Sequence, residues 1–459
     1  MHCGYITTLK DVRPHPNADR LVLATCFVNT VCVAKDKYTE GEIGVYFPVD
    51  LQLSMEFCEK NGLLAVYENG VNISGGYMDP AKRNVKAIKL RGEQSDGLFL
   101  PLACLEYTGV DMDSLNIGDT ITTVNGHEIC KKYIPRGKHP RTAAGGAGKR
   151  TKRRAKRSIA PVFYEHIDTE QLAYNLHMFK SGDLIEITRK LHGTSARTSH
   201  TKVLKGFKRN LLDIILRREG TPIYDWGTVS GTRRTVLDTF DGGFYGSNEF
   251  RKPYHDFFDG KLLKGETVYY EIVGFTHDGG PIMGVCNNKK LNDKEFVKKY
   301  GETTTFSYGC APAVGTEDEK PQSDIYVYRM TMTNEDGEVV EYTPDQMRHR
   351  CMYMGVKTVP VHWYGFIPEN PGSHDDPTIS AGEWVLKKAE QFYDGEEPID
   401  PTHIREGVVV RVINRPTFTA YKHKNFQFKV LEGIIKECAE APDMEEADGL
   451  DEDFEAETV

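Results

Sequence analysis

Apolar positions in the first 125 residues come as short runs separated by turn-forming residues. Arg20–Phe27 (RLVLATCF) and Val31–Ala34 flank a short turn, Gly44–Val49 (GVYFPV) follows TEGE, and Gly97–Leu100 adds a further apolar run. Val85–Leu90 (VKAIKL) alternates apolar and polar residues, the period-two pattern of a strand with one buried face. Closely spaced segments of this kind predict a small barrel or sandwich. From Phe163 to Ile435 strand and helix patterns mix, and Gly206–Arg218 (GFKRNLLDIILRR) carries apolar residues at helical spacing with Lys and Arg between them. That stretch predicts an amphipathic helix. Internal repeats are absent, and neither a Walker loop nor GxGxxG occurs, so neither a P-loop nor a dinucleotide fold is indicated.

Composition narrows the class. With 459 residues, 39% of them hydrophobic and 27% charged, the chain is globular and long enough for two or three domains. Wholesale disorder, collagen and a disulfide scaffold are excluded. No stretch approaches the ~18 consecutive apolar residues of a membrane span. The amino-terminal MHCGYITTLKDVRPH lacks the apolar core of a signal peptide, so an intracellular protein, cytoplasmic or nuclear, is expected. The ten cysteines are scattered with no CxxC pair, which argues for reduced thiols and against a structural zinc site.

The net charge of −9 hides two opposed segments. Residues 440–459 hold ten Asp/Glu and no Lys/Arg, an acidic tail expected to be disordered, which leaves the rest of the chain near neutrality. In Lys138–Arg157 (KHPRTAAGGAGKRTKRRAKR), nine of twenty residues are Lys or Arg around a Gly/Ala-rich stretch, which reads as a domain linker. Its function is phosphate-backbone contact, a nuclear import signal at 149–157, or only a solvated spacer. The expected division is 1–130, a β-barrel module; 131–160, linker; 161–436, the larger domain; and 437–459, tail.

Candidate chemistry lies in the larger domain. Lys190 sits in EITRKLHGTS, where a strand-like DLIEIT delivers the amine to a sharp turn at Gly193, followed by Thr194 and Ser195. Three strand-like phrases follow. Val268–Gly274 (VYYEIVG) places Glu271 in an apolar strand, where an unpaired carboxylate would cost several kcal/mol, and Arg405–Val412 (REGVVVRV) does the same with Glu406. Tyr421–Val430 (YKHKNFQFKV) puts Lys422 and Lys424 two apart, on one face if extended. Two carboxylates and three lysines could compensate one another at one site; salt bridges at strand ends are the alternative for any single residue.

The order KLHGTS, YYEIVG, DIYVYRM, REGVVVR, YKHKNFQFKV resembles the covalent nucleotidyltransferases, and within them the ATP-dependent RNA ligases. HPNADRL (His15–Leu21), YTEGEIGVYFPVD and IKLRGEQSDGLFLPL resemble an OB-fold module, with Lys82, Arg83, Lys86, Lys89 and Arg91 as a basic strand face. Together they resemble RNA ligase family 5, the nick-sealing type. The resemblance covers Cys3 through Ile435. It implies an α+β fold: an amino-terminal OB-like β-barrel, then an antiparallel-sheet nucleotidyltransferase (ATP-grasp-like ligase adenylation) domain.

The resemblance further implies that Lys190 is the nucleophile that takes AMP from ATP, that Glu271 binds the ribose, and that Tyr328 or Tyr326, on the same strand face, stacks on adenine. It makes Glu406 the carboxylate for Mg2+ (with Mn2+ as a substitute), Lys422 and Lys424 the pair on the α-phosphate, and Arg233, or else Arg234, the arginine near sugar and ligated ends. RNA, as a nicked duplex or as RNA ends, is the implied partner of a monomer with no membrane association. A lysine with a reference pKa near ~10.4 must lose its proton to attack, and neighbouring cations favour that. Mg2+ prefers oxygen and keeps most of its waters, so one or two carboxylates suffice. One position departs: many RNA ligases carry glutamate immediately before the nucleophile, where this chain has Arg189, an extra cation expected to act on the lysine or on phosphate. In His192 a hydrogen-bonding role in the turn is expected ahead of proton transfer, and Cys310 reads as a buried small apolar residue. A DNA ligase or capping enzyme is the alternative of the same chemical class, although those chains usually carry an OB domain after the transferase domain. A non-catalytic RNA-binding protein with a degenerate transferase domain is the third reading.

Overall fold

The computed structural model describes residues 2–437 apart from 69–70, 134–158, 217, 219, 238, 242–246, 314–319 and 373–377. The basic linker segment (all but its neighbours) and the acidic tail lie outside the described residues. Two compact units result: Met1–Pro135 with Glu170–Leu176 and Lys424–Glu437, and a larger one over Arg136–Thr169, His177–His423 and Cys438–Val459. The first is not contiguous, because two short segments assigned from sequence to the larger domain cluster with the amino-terminal residues.

In the first unit, β1 (Gly4–Thr8), β2 (Lys10–Pro14), β3 (Leu21–Cys26), β4 (Asn29–Ala34), β5 (Ile43–Phe47), β6 (Leu98–Pro101) and β7 (Thr120–Ile121) make two sheets, ordered β6-β5-β1-β7 and β2-β3-β4. In β4, residues 29, 31 and 33 are buried and the residues between them only partly so, which is the period-two pattern of a one-sided strand. Ile6, Val45, Phe47, Leu51, Leu53 and Phe57 fill one side of the core, and Leu9, Val22, Val31, Tyr46 and Phe99 the other. The annexed segments have physical reasons to be here. Tyr174 packs against Tyr5 (5.0 Å between ring centres) and its hydroxyl accepts from the Asn29 amide at 3.3 Å, while Lys429 pairs with Asp96 at 2.6 Å.

Two main antiparallel sheets build the larger unit. The main one has the order β11-β10-β9-β12-β13-β14, from β9 (Thr194–Lys208), β10 (Thr221–Gly231), β11 (Val236–Leu237), β12 (Glu266–Gly274), β13 (Ser323–Thr333) and β14 (Val339–Glu341). The second contains β8 (Leu184–Lys190), β15 (Val361–Phe366), β16 (Gly407–Val412) and β17 (Thr419–Lys424) in the order β17-β16-β8-β15. Helices Lys252–Phe258 and Pro344–Met354 cover the main sheet, burying Phe258, Met347, Cys351 and Met354 on Val268, Tyr270 and Ile272. This is the α+β, antiparallel architecture expected. No helix among the described residues is long and apolar enough to cross a membrane. The nine described cysteines are free, and Cys310 is buried as expected.

Two segments differ from the sequence pattern. Gly206–Lys208 continue β9, opposite Thr221–Ile223, so the strand ladder captures the first part of the expected helix and leaves only Leu211–Ile215 helical. Likewise the strand expected over Tyr421–Val430 stops at Lys424. Asn425 Oδ1 accepts from the Gln427 amide at 2.7 Å and starts the helix Phe426–Glu437.

Candidate active site

Lys190 is the last residue of β8, opposite Gly407 of β16. Because Glu406 directly precedes β16, antiparallel pairing brings the two side chains together: Lys190 Nζ lies 3.0 Å from Glu406 Oε1. The carboxylate is 1% exposed and the lysine 25%, so the buried charge has its counter-ion while the amine stays accessible.

The chain then turns from β8 into β9. At Gly193 an added Cβ would come within 2.3 Å of the Ile272 carbonyl oxygen, so only glycine allows β12 to approach this closely. Ser195 pairs with Glu271 across β9 and β12, and the Glu271 carboxylate accepts from the Gly193 amide at 3.1 Å and the Ser195 hydroxyl at 3.3 Å. The polar residue that looked costly in an apolar strand is therefore satisfied by the turn itself. On the next strand Tyr326 stands opposite Glu271 and is buried, and the Tyr328 hydroxyl donates to Ser195 Oγ at 3.4 Å.

His192 is buried. Its main-chain N–H donates to the Tyr308 hydroxyl at 2.7 Å, its ring meets Phe306 edge-on at 4.8 Å, and its Nδ1 is 3.9 Å from Glu406 Oε2. Lys190, His192, Gly193, Ser195, Glu271, Tyr328 and Glu406 are thus joined by direct contacts. Arg233 forms an ion pair with Asp168, and Arg234 lies 3.9 Å from the same carboxylate. Lys422 lies half-exposed on β17, next to β16 in the sheet. Lys424 groups with the smaller unit, where its ammonium meets both oxygens of Glu432 at 2.8 and 2.9 Å.

Arg189 does not act where the sequence placed it. Successive residues of a strand face opposite ways, so its guanidinium turns from the lysine and donates to Glu397 Oε1 at 2.7 Å, with the pair 7% and 0% exposed. A cleft of about 560 Å³ lined by Lys299, Glu396, Glu397, Pro398, Pro401 and Arg405 adjoins this pair and holds none of the expected site residues.

Several residues went unmarked in the sequence. Arg251, 2% exposed, donates to the Ser195 carbonyl at 3.0 Å and the Thr194 hydroxyl at 2.8 Å, fixing the start of β9. Arg197, 1% exposed, donates to the carbonyls of Thr232 at 3.1 Å and Arg234 at 3.2 Å, shaping the turn that presents Arg233. Tyr308 is buried with φ +48°, a strained backbone for a bulky residue, and burial followed by the nearby Glu406 and Glu397 pushes its hydroxyl pKa well up. An arginine in a strand, another in a short 3-10 turn and a tyrosine in a loop leave no periodic mark; only contacts distant in sequence reveal them.

The metal expectation can be weighed against the donor set. No group of three or more His, Cys, Asp or Glu among the described residues could cage an ion. A single buried carboxylate such as Glu406 suits Mg2+ or Mn2+ held chiefly by waters and substrate oxygens, so the residues present fit the implied ion.

An amino-terminal OB-fold unit and a larger α+β unit built on antiparallel sheets are the class these features define. A family model described as an OB-fold domain matches residues 4–102. Among solved structures, the chain is similar to a Naegleria gruberi RNA ligase variant with AMP and Mn, at 15% identity and a TM-score of 0.52, covering 93% of this chain and 97% of that one. It is similarly close to another variant of that ligase with ATP and Mn (15%, TM-score 0.52, 93% and 97%) and to the same ligase with PPi (15%, 0.52, 93% and 98%). No curated protein matches the chain in sequence.

Proposed function

We propose that the chain is an ATP-dependent RNA ligase that works through a lysyl-AMP intermediate on Lys190. The observation that carries this reading is the Lys190–Glu406 pair at 3.0 Å, set beside a turn that Glu271 grips through Gly193 and Ser195. Support also comes from fold likeness to a ligase solved with ATP, AMP and PPi.

In this reading Lys190 Nζ attacks the α-phosphorus of ATP, forming a P–N bond as pyrophosphate leaves. The amine sheds a proton to attack, and Glu406 Oε1 at 3.0 Å is the acceptor in reach. The AMP then passes to an RNA 5′-phosphate, and a 3′-hydroxyl displaces AMP to close the phosphodiester. Glu271 hydrogen-bonds the ribose, and Tyr328 or Tyr326 offers a flat face to adenine. Lys422 and Lys424 neutralise charge on the α-phosphate. Arg233, with Arg234 behind it, approaches the sugar and the RNA ends. A divalent ion at Glu406 supplies charge neutralisation for the phosphates. The OB-fold unit holds RNA, and the preferred substrate is a nicked duplex with RNA on the 3′-hydroxyl side, as in RNA ligase family 5.

Incubation with α-labelled ATP and Mg2+ tests this. Acid-stable label on the protein, discharged by 5′-phosphorylated nicked duplex with sealing of the nick, is expected. Salt-sensitive RNA binding without labelling contradicts the ligase reading, and faster sealing of single strands contradicts the nick preference.

A further inference from the structure

Two consecutive cations of β8 face opposite ways, yet both reach carboxylates of one excursion of the chain, Gly395–Glu406. We propose that Arg189, Glu397 and Tyr308 are positioning residues that clamp this excursion to the Lys190 turn and so hold Glu406 at the amine. The inference rests on the ligase reading for its meaning, although the clamp itself is a matter of contacts.

The excursion is a folded unit. The Glu397 amide donates to the His403 carbonyl at 2.9 Å and the Arg405 amide to the Gly395 carbonyl at 3.0 Å. At one end Glu397 Oε1 accepts from Arg189 at 2.7 Å and from the Ile399 amide at 3.1 Å, which ties the excursion to β8. Its middle is tied to the turn Ser307–Gly309. There Asp400 accepts from the Gly309 amide at 2.9 Å and from the Ser307 hydroxyl, while the ring of fully buried His403 packs against Tyr308 at 4.6 Å and Phe306 at 5.2 Å.

Those contacts hold Tyr308 in its left-handed conformation, and its hydroxyl accepts the His192 N–H at 2.7 Å. The circuit closes where Glu406 meets Lys190. A loop fixed at one point only could swing; this one is fixed at three, and strain at Tyr308 persists because the surroundings over-determine it.

Hydrogen exchange on the full chain, without nucleotide or metal, reads the clamp separately from chemistry. In Tyr308→Phe the His192 N–H loses its acceptor, and the segment 190–196 should exchange at least about tenfold faster while amino-terminal segments keep their protection. Adenylylation kcat should fall with KM for ATP little changed. Arg189→Met alone strands a buried Glu397 charge, so the paired variant Arg189→Met/Glu397→Leu removes both charges and should loosen 190–196 and lower kcat in the same way. Wild-type exchange at 190–196 in both Tyr308→Phe and the paired variant overturns the proposal. If the wild type forms no protein–AMP, the ligase reading fails, whereas the exchange contrast still decides the clamp.

Discussion

Arg189 and Lys190 are neighbours on one strand, each against a carboxylate, and the two pairs do different work. The Arg189–Glu397 pair is sealed from solvent at both ends, whereas the Lys190–Glu406 pair keeps its carboxylate buried and its amine 25% exposed. A guanidinium stays charged and spreads donors over a plane, so it suits a fixed internal tie; a primary amine can lose its proton and become a nucleophile. On the proposed ligase reading, burial of one member only is what separates the reactive pair from the structural one.

The sharpest way to break this contrast is to exchange the chemistry. Lys190→Ala should abolish protein–AMP formation altogether, measured by label retention in acid, and should also cost stability because buried Glu406 loses this counter-ion. Arg189→Ala should keep a nucleophile but lose about 3–5 kcal/mol of stability in denaturant titration, because Glu397 is left charged and buried. Glu406→Ala should lower adenylylation at least about 100-fold with a smaller stability change.

Gly193→Ala sharpens the account of the turn. The new Cβ meets the Ile272 carbonyl, so a loss of about 1–3 kcal/mol and weaker ATP binding are expected from thermal unfolding and titration.

The smallest effect concerns acid. Burial alone would raise the Asp400 pKa, but hydrogen bonds from Ser307, Thr402 and the Gly309 amide outweigh it and hold it at about 2, below its ordinary 3.8. Such a depressed carboxyl adds stability above the ordinary value, and this is lost as pH falls through about 2. Asp400→Asn should therefore lose that contribution at neutral pH and show a flatter stability profile between those values in acid unfolding.

Much of the fold was legible because its strands alternate cleanly, as in β4, and because the site strands announce themselves by charges in apolar runs. Glu271 and Glu406 stood out for that reason, and Lys190 as the amine that a strand delivers to a sharp turn. Gly206–Arg218 misled because helical spacing of its apolar residues coexists with a strand ladder that sequence cannot display. The direction of Arg189 was implicit in strand alternation, but its partner, 208 positions away, was not. Tyr308, Arg251 and Arg197 were hidden altogether, since each works through main-chain groups of residues distant in the chain.

Peptide mapping by mass spectrometry of the protein after incubation with ATP and Mg2+ tests the central claim most directly. AMP should be found on Lys190 and on no other residue. AMP found on a different lysine, or an unmodified Lys190 in protein that ligates RNA, contradicts it.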